Sequence, residues 1–287
     1  MASPVYFTPP PKIIDELRMN ISVQENLLSD PKFALRLQIA RTYMSAERDC
    51  NSRSSLKSRY LICSTPRSGS TLLTDYLFAS GVAGVPMEYM NDSLLMAFSE
   101  RIGRKITDLA DYLKQIEKLR VSEHGVFGMK AHFRQTFTIL RSQELLSQFL
   151  RRFNRIIRIV RRNKLAQAIS TYKAMESGFW TYRHEELSAK VDQPIIPYNP
   201  VKIAEALFSS LNEENGWVEA LRYSGQEALI VYYEDLVAFP QDTLEKVFSF
   251  LNIPVLLPIR IESSMRKQSD GLNMKFYARF LSEIQNK

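Results

Sequence analysis

The amino-acid sequence predicts an α/β fold with a central parallel β-sheet flanked by helices. Three observations carry this expectation. Short apolar runs at residues 60–63, 125–133, 155–162 and 229–236 have the length and composition of buried strands. Longer stretches whose apolar residues recur at helical spacing separate them, as a sheet covered on both faces requires. Polar and cationic clusters follow directly on the strands, where open α/β sheets bind ligands.

Residues 1–11 are proline-rich and irregular, and Ile13, Ile14, Leu17, Ile21 and Val23 then outline an amphipathic helix ending near Ser29. Asp30 before Pro31 offers an N-cap with proline in the first helical position, opening a second helix that runs to about Glu47. A polar connector completes an N-terminal helical extension over 1–58, which packs on the sheet or on a second copy of the chain as a homodimer; the main domain takes 59–287. The first strand leads into a polar loop, after which Leu72, Leu73, Tyr76 and Leu77 mark a helix stopped by Gly81. Residues 91–119 read as mostly helical with a charged interruption at 101–105. Along the second strand, alternation places Lys130 and His132 on one face and Met129 and Ala131 on the other. The third strand, 155–162, runs into Asn163 and a helix over 164–177. After a proline-punctuated loop a helix spans 201–223, the fourth strand and its exit occupy 229–236, and a last helix ends near Ile284.

A chain of 287 residues fits one large α/β domain with an extension. No apolar run is long enough to span a bilayer, and the N-terminus lacks the basic start and apolar core of a signal peptide, so a soluble, cytoplasmic protein is expected. Cys63 sits inside the first strand, where a buried thiol is the usual state, and a disulfide with Cys50 is not expected. His124, His132 and His184 lack zinc-type spacing, so no required metal is expected. The formal net charge of +7 suits a polyanionic ligand. Charge alone would equally serve nucleic acid or a membrane surface, but no nucleic-acid-binding signature accompanies it, and no nucleic-acid partner is expected.

The chemistry lies in residues 65–71. Between strand and helix this stretch sets several hydroxyls, the permissive Gly69, the fixed cation Arg67 and the free backbone N–H groups of a helix start, which together make an anion cradle. A nucleotide-triphosphate loop would need an early glycine and a lysine before Ser70 or Thr71, and both are missing. Pro66-Arg-Ser-Gly-Ser-Thr71 resembles instead the 5′-phosphosulfate loop of sulfotransferases. Its continuation, Gly81-Val-Ala-Gly-Val-Pro-Met-Glu-Tyr89, is similar to the Stf0-type bacterial branch, whose founding activity is trehalose 2-sulfation.

That resemblance implies a P-loop-like sulfotransferase fold. It also implies in-line transfer of a sulfuryl group from 3′-phosphoadenosine 5′-phosphosulfate (PAPS) to a hydroxyl of a small-molecule acceptor, with adenosine 3′,5′-bisphosphate (PAP) as product. The acceptor is left open among a sugar, a glycolipid and a polar secondary metabolite. Pro66, Arg67, Ser68, Gly69, Ser70 and Thr71 are implied to hold the 5′ side of the donor. Arg162 and Ser170 stand at the spacing with which the family holds the 3′-phosphate, and Arg161, expected on the other face of the strand, competes with Arg162. Arg266, Lys267 and Gln268 match a basic segment that closes the nucleotide site in relatives, or they form a plain surface loop. Glu88 is the implied general base and His132 its understudy, while Lys130 lies on a Gly-x-Lys strand leading into the site. A glutamate would work better as base if a desolvated pocket raised its pKa toward neutrality. Glu88, Tyr89 and Trp180 are implied to meet the acceptor, whereas Phe179 reads as core. Two other functions compete: a magnesium-dependent nucleotide kinase or ATPase, and a non-catalytic anion-binding protein without donor turnover.

Overall fold

A computed structural model describes residues 30–50, 52–180, 195–256, 258–260 and 271–285. Within them the strands β1 (Ser58–Ser64), β2 (Val126–His132), β3 (Arg155–Val160) and β4 (Ala228–Tyr232) pair in parallel, in the order β2-β1-β3-β4. From β1 the chain crosses to β2 on one side, and β3 lies on the other. The C-terminal end of β1 is therefore a topological switch point, where parallel sheets open a crevice.

The helices are α1 (Pro31–Tyr43), α2 (Ser70–Ala79), α3 (Asp92–Ile102), α4 (Leu109–Arg120), α5 (Phe133–Leu140) and α6 (Gln143–Leu150). They continue with α7 (Lys164–Ser177), α8 (Pro200–Ser224), α9 (Tyr233–Ala238), α10 (Pro240–Leu251) and α11 (Gly271–Gln285). Alternation along the strands divides the core into two layers. Tyr60, Ile62, Ile157, Ile159 and Val231 face α2 and α10, while Leu61, Cys63, Phe127, Met129 and Ile156 face α3, α4 and α6. Leu61 and Ile62 are 0% exposed, and burying an aliphatic side chain of that size contributes about 1.5–3 kcal/mol. Asp30 caps α1 as expected, its carboxylate accepting the Lys32 N–H at 2.9 Å. Phe33, Leu37 and Met44 of this segment join the same layer as Leu61, so the described part of the extension shares the core of the sheet.

Several boundaries differ from the expectation for physical reasons. The helical stretch 91–119 is two helices, separated where Gly103 takes a left-handed φ of 67° and Asp108 caps α4 through the N–H groups of Ala110 and Asp111. β3 ends at Val160, so Arg161 and Arg162 lie in the following turn and not on alternating faces of a strand. Its last partner is Tyr232, and beyond that pair the exit of the run 229–236 is the short helix α9. Glu234, on that helix, accepts the backbone N–H groups of Arg162 at 3.0 Å and Asn163 at 3.1 Å. The helices α5 and α6 were not anticipated; Ser142 caps the second through the Leu145 N–H at 3.1 Å. The helix expected before Ser29 lies outside the described residues. No helix among the described residues is long and apolar enough to cross a membrane.

Candidate active site

The site grows from the end of β1. The Ser64 carbonyl accepts the indole N–H of Trp217 at 2.9 Å, which ties the strand end to α8. Beside that tryptophan a side chain on Gly216 would strike the Phe133 ring at 2.4 Å, so the close approach of α8 and α5 depends on glycine there. After Thr65 the chain turns sharply, with the Ser68 N–H donating to the Thr65 carbonyl at 3.3 Å and Arg67 left-handed at φ 61°. Gly69 follows at φ 91°, and a Cβ on it would lie 2.3 Å from the Tyr233 ring. Both backbone conformation and space thus demand glycine. α2 begins at Ser70, leaving its first N–H groups open toward the loop. Ser68 is 0% exposed, yet its hydroxyl has no hydrogen-bond partner among the described residues. A helix start beside an unsatisfied buried hydroxyl fits an anionic oxygen as guest.

One face of α7 reads this loop. Ser170 Oγ accepts from Arg67 Nε at 2.9 Å, and the Arg67 guanidinium also donates to the Trp180 carbonyl at 2.6 Å. One turn earlier Gln167, 0% exposed, donates from Nε2 to Thr65 Oγ1 and to the Pro66 carbonyl, each at 2.8 Å. The adjacent arginines have unlike surroundings. Arg161 lies over the Tyr233 ring, 4.8 Å from its centroid, and reaches the Arg67 carbonyl at 3.4 Å. Burial pulls its pKa down, against Tyr233 and Glu234, which push it up. Arg162 is exposed, stacks on Tyr232 and forks onto the Asp235 carboxylate at 2.5 and 2.8 Å, which raises its pKa. Thus Ser170 and Arg67 meet, while the Arg162 side chain is turned toward Asp235.

Glu88 forms the second half of the site. The segment carrying it is fastened to β2 by the Lys130 N–H, which donates to the Met87 carbonyl at 2.9 Å, and turns back where the Asn91 N–H reaches the Glu88 carbonyl at 2.7 Å. Lys130 and His132 share one face of β2, as alternation predicts, and both meet the same carboxylate oxygen. Lys130 Nζ lies 2.8 Å and His132 Nε2 3.2 Å from Glu88 Oε1. Lys130 Nζ also donates to Thr71 Oγ1 at 3.2 Å, so a single ammonium bridges the first turn of α2 and the carboxylate. The other imidazole nitrogen, Nδ1, is 2.9 Å from Ser64 Oγ. Gln135 Nε2 lies 3.5 Å from Glu88 Oε2. Burial pushes the Glu88 carboxyl up, but the charges of His132 and Lys130 and their hydrogen bonds outweigh it and hold the pKa well below the ordinary carboxylate range. The pocket therefore keeps Glu88 ionised and does not raise it toward neutrality.

Tyr89 does not face the cleft. It is 0% exposed in the core, stacked on Phe127, with its hydroxyl donating to the Val85 carbonyl, so the expected contact with an acceptor is corrected to a packing role. Trp180 borders the loop through its carbonyl. Arg266, Lys267 and Gln268 lie outside the described residues. Sequence reasoning missed Gln167, Gln135 and Ser64. For Gln167 the signal was its place three residues before Ser170, on the same face of a helix.

The sequence model of the Stf0 sulphotransferase family matches residues 59–283. Trehalose 2-sulfotransferase of Mycobacterium tuberculosis is 24% identical over 208 residues, covering 61% of this chain and 76% of that protein. Among solved structures, a sulfotransferase domain from the curacin biosynthetic pathway matches at 21% identity and a TM-score of 0.39, covering 76% of this chain and 80% of its own. The sulfotransferase domain of the Synechococcus PCC 7002 olefin synthase matches at 18% identity and 0.42, covering 78% and 85%. A sulfotransferase from Alicyclobacillus acidocaldarius matches at 13% and 0.43, covering 80% and 96%.

Proposed function

Because the chain belongs to the Stf0 sulphotransferase family, whose reaction is sulfuryl transfer, we propose that it sulfates a hydroxyl of a small polar acceptor with PAPS as donor and Glu88 as general base. The observation that carries this reading is Lys130, whose ammonium touches both Thr71 at the start of α2 and the Glu88 carboxylate, so that anion cradle and base stand one side chain apart. When bound, PAPS supplies an activated sulfuryl group next to a nucleotide leaving group. The backbone N–H groups at the start of α2, with Ser68, Ser70 and Thr71, donate to the 5′-phosphate side. Arg67 neutralises negative charge as it gathers on the leaving oxygen, a role suited to a guanidinium that never gives up its proton.

Glu88 Oε1 is engaged by Lys130 and His132, which leaves Oε2 to receive the acceptor proton. A carboxylate with a depressed pKa is a weaker base but is fully ionised at neutral pH, and positioning supplies much of the remaining rate. His132 acts on this view as the hydrogen-bonding neighbour that, with Lys130, fixes Glu88 Oε1. Arg162 and Ser170 take the 3′-phosphate: the Arg162–Asp235 pair is about half exposed, with side-chain values of 48% and 46%, and solvent screens an exposed pair of this kind so that it holds weakly. Exchanging that carboxylate for a phosphate is therefore easy.

The test is mass spectrometry of mixtures containing the protein, PAPS and a broad panel of sugars, glycolipids and polar metabolites. A product heavier by one sulfuryl group, formed together with PAP, is the expected result. PAPS left intact across the whole panel counts against the reading.

A further inference from the structure

We propose that Gln167 is a positioning residue that holds the phosphate loop in its donor-binding shape and fixes the hydroxyl of Thr65 as a donor toward the bound anion; this rests on the PAPS reading above. The amide of Gln167 crosses from α7 to two loop groups, Thr65 Oγ1 and the Pro66 carbonyl, each at 2.8 Å. A carbonyl can only accept, so the nitrogen of the amide must face the loop. Thr65 Oγ1 then accepts as well, and its own proton is free to be given elsewhere. Thr65 is 1% exposed and opens the turn that precedes Arg67 and α2.

The second bond pins the peptide just before Arg67, whose left-handed φ of 61° is unfavourable for an L-residue with a side chain. Something must hold that conformation, and the Gln167 amide grips the carbonyl on its N-terminal side. Ser170, one turn along the same face of α7, meets the Arg67 guanidinium at 2.9 Å. Gln167 thus sets the loop backbone while Ser170 meets its side chain, and α7 transmits its own placement to the 5′ end of the donor site. No step of the transfer uses Gln167 directly.

A positioning role of this kind acts on ligands through their 5′ group. The test is calorimetric titration of wild type, Gln167→Met and Gln167→Glu with PAP and with adenosine 3′-phosphate. Methionine keeps the length and removes the donor; glutamate keeps the shape but sets an acceptor against the Pro66 carbonyl. In Gln167→Met the affinity for PAP should fall about tenfold, the scale of one or two lost hydrogen bonds, while adenosine 3′-phosphate binds as in wild type. Gln167→Glu should lose more, again only for PAP. Equal weakening of both ligands, or of neither, overturns the proposal. If Gln167→Met does not give a cooperative thermal melt, the same comparison in Gln167→Glu decides. Wild type that binds PAP no better than adenosine 3′-phosphate would instead remove the PAPS reading, and this inference with it.

Discussion

The two oxygens of Glu88 stand in unlike surroundings, and the chemistry follows from the difference. Oε1 is held by Lys130 at 2.8 Å and His132 at 3.2 Å, whereas among the described residues Oε2 meets the Gln135 amide at 3.5 Å, beyond the range of a good hydrogen bond. Glu88→Gln retains the shape and removes the base. Its kcat should fall by about 10²–10⁴ while PAP binds as before, as steady-state rates and titration together would record. Unchanged kcat there, with collapse in His132→Gln, would move the base to His132. Lys130 can be tested through pH. The folded-state pKa of Glu88 is depressed, so its ionic contacts stabilise the fold above the unfolded value of about 4.3 and are lost as pH falls through the folded value. Lys130→Met removes the ammonium beside the carboxylate and leaves burial in place, so the carboxyl rises. The acid limb of the kcat profile and the onset of acid unfolding should both move to higher pH; limbs that coincide with those of wild type would mean that Lys130 does not govern Glu88.

At the scale of elements, the turn after β3 carries two cations with separable tasks. Arg161 touches the loop carbonyl of Arg67, while Arg162 is exposed and paired with Asp235. Arg162→Ala should therefore weaken PAP but not AMP, through the lost charge-assisted hydrogen bonds to the 3′-phosphate, and Arg161→Ala should weaken both nucleotides by loosening the loop. The opposite pattern in a titration series would assign the 3′-phosphate to Arg161. The elements were legible where local signals agree: α7 runs over Lys164–Ser177 because Asn163 caps it and Gly178 ends it at φ 79°. The stretch 229–236 held the fourth strand and its exit: β4 stops at Tyr232, and Tyr233, Glu234 and Asp235 already belong to α9, whose course follows from Glu234 meeting two backbone N–H groups far away in sequence. Lys130 and His132 could be placed on one face from alternation alone. Gln167 could not be read, since its partners Thr65 and Pro66 lie about a hundred residues upstream and only the packing of α7 on the loop brings them together. Tyr89 was misread for a related reason: adjacency to Glu88 in sequence says nothing about which side of the segment faces the core.

For the whole molecule, the sheet order gathers cations at one crevice. Arg67 arrives from the loop after β1, Lys130 from β2, and Arg161 and Arg162 from the turn after β3, all at the C-terminal ends of parallel strands. In nucleotide kinases the charge of the transferred group is met by a lysine together with magnesium. Here the neutralising charge is built into the chain, which predicts that turnover with PAPS survives EDTA. Binding offers a second measure on the same molecule. PAP at a hundred times its Kd should stabilise the fold by about 2.7 kcal/mol, a rise in Tm of roughly 5–10 °C for a domain of this size. That rise should be the same with and without EDTA. ATP, which carries no 3′-phosphate for Arg162 and Ser170, should raise Tm less at equal concentration. Loss of turnover in EDTA that magnesium restores, or a shift with magnesium and ATP as large as that with PAP, would favour the kinase reading over sulfuryl transfer from PAPS, because each would show that the crevice recognises a metal-bound triphosphate in preference to a 3′-phosphorylated nucleotide.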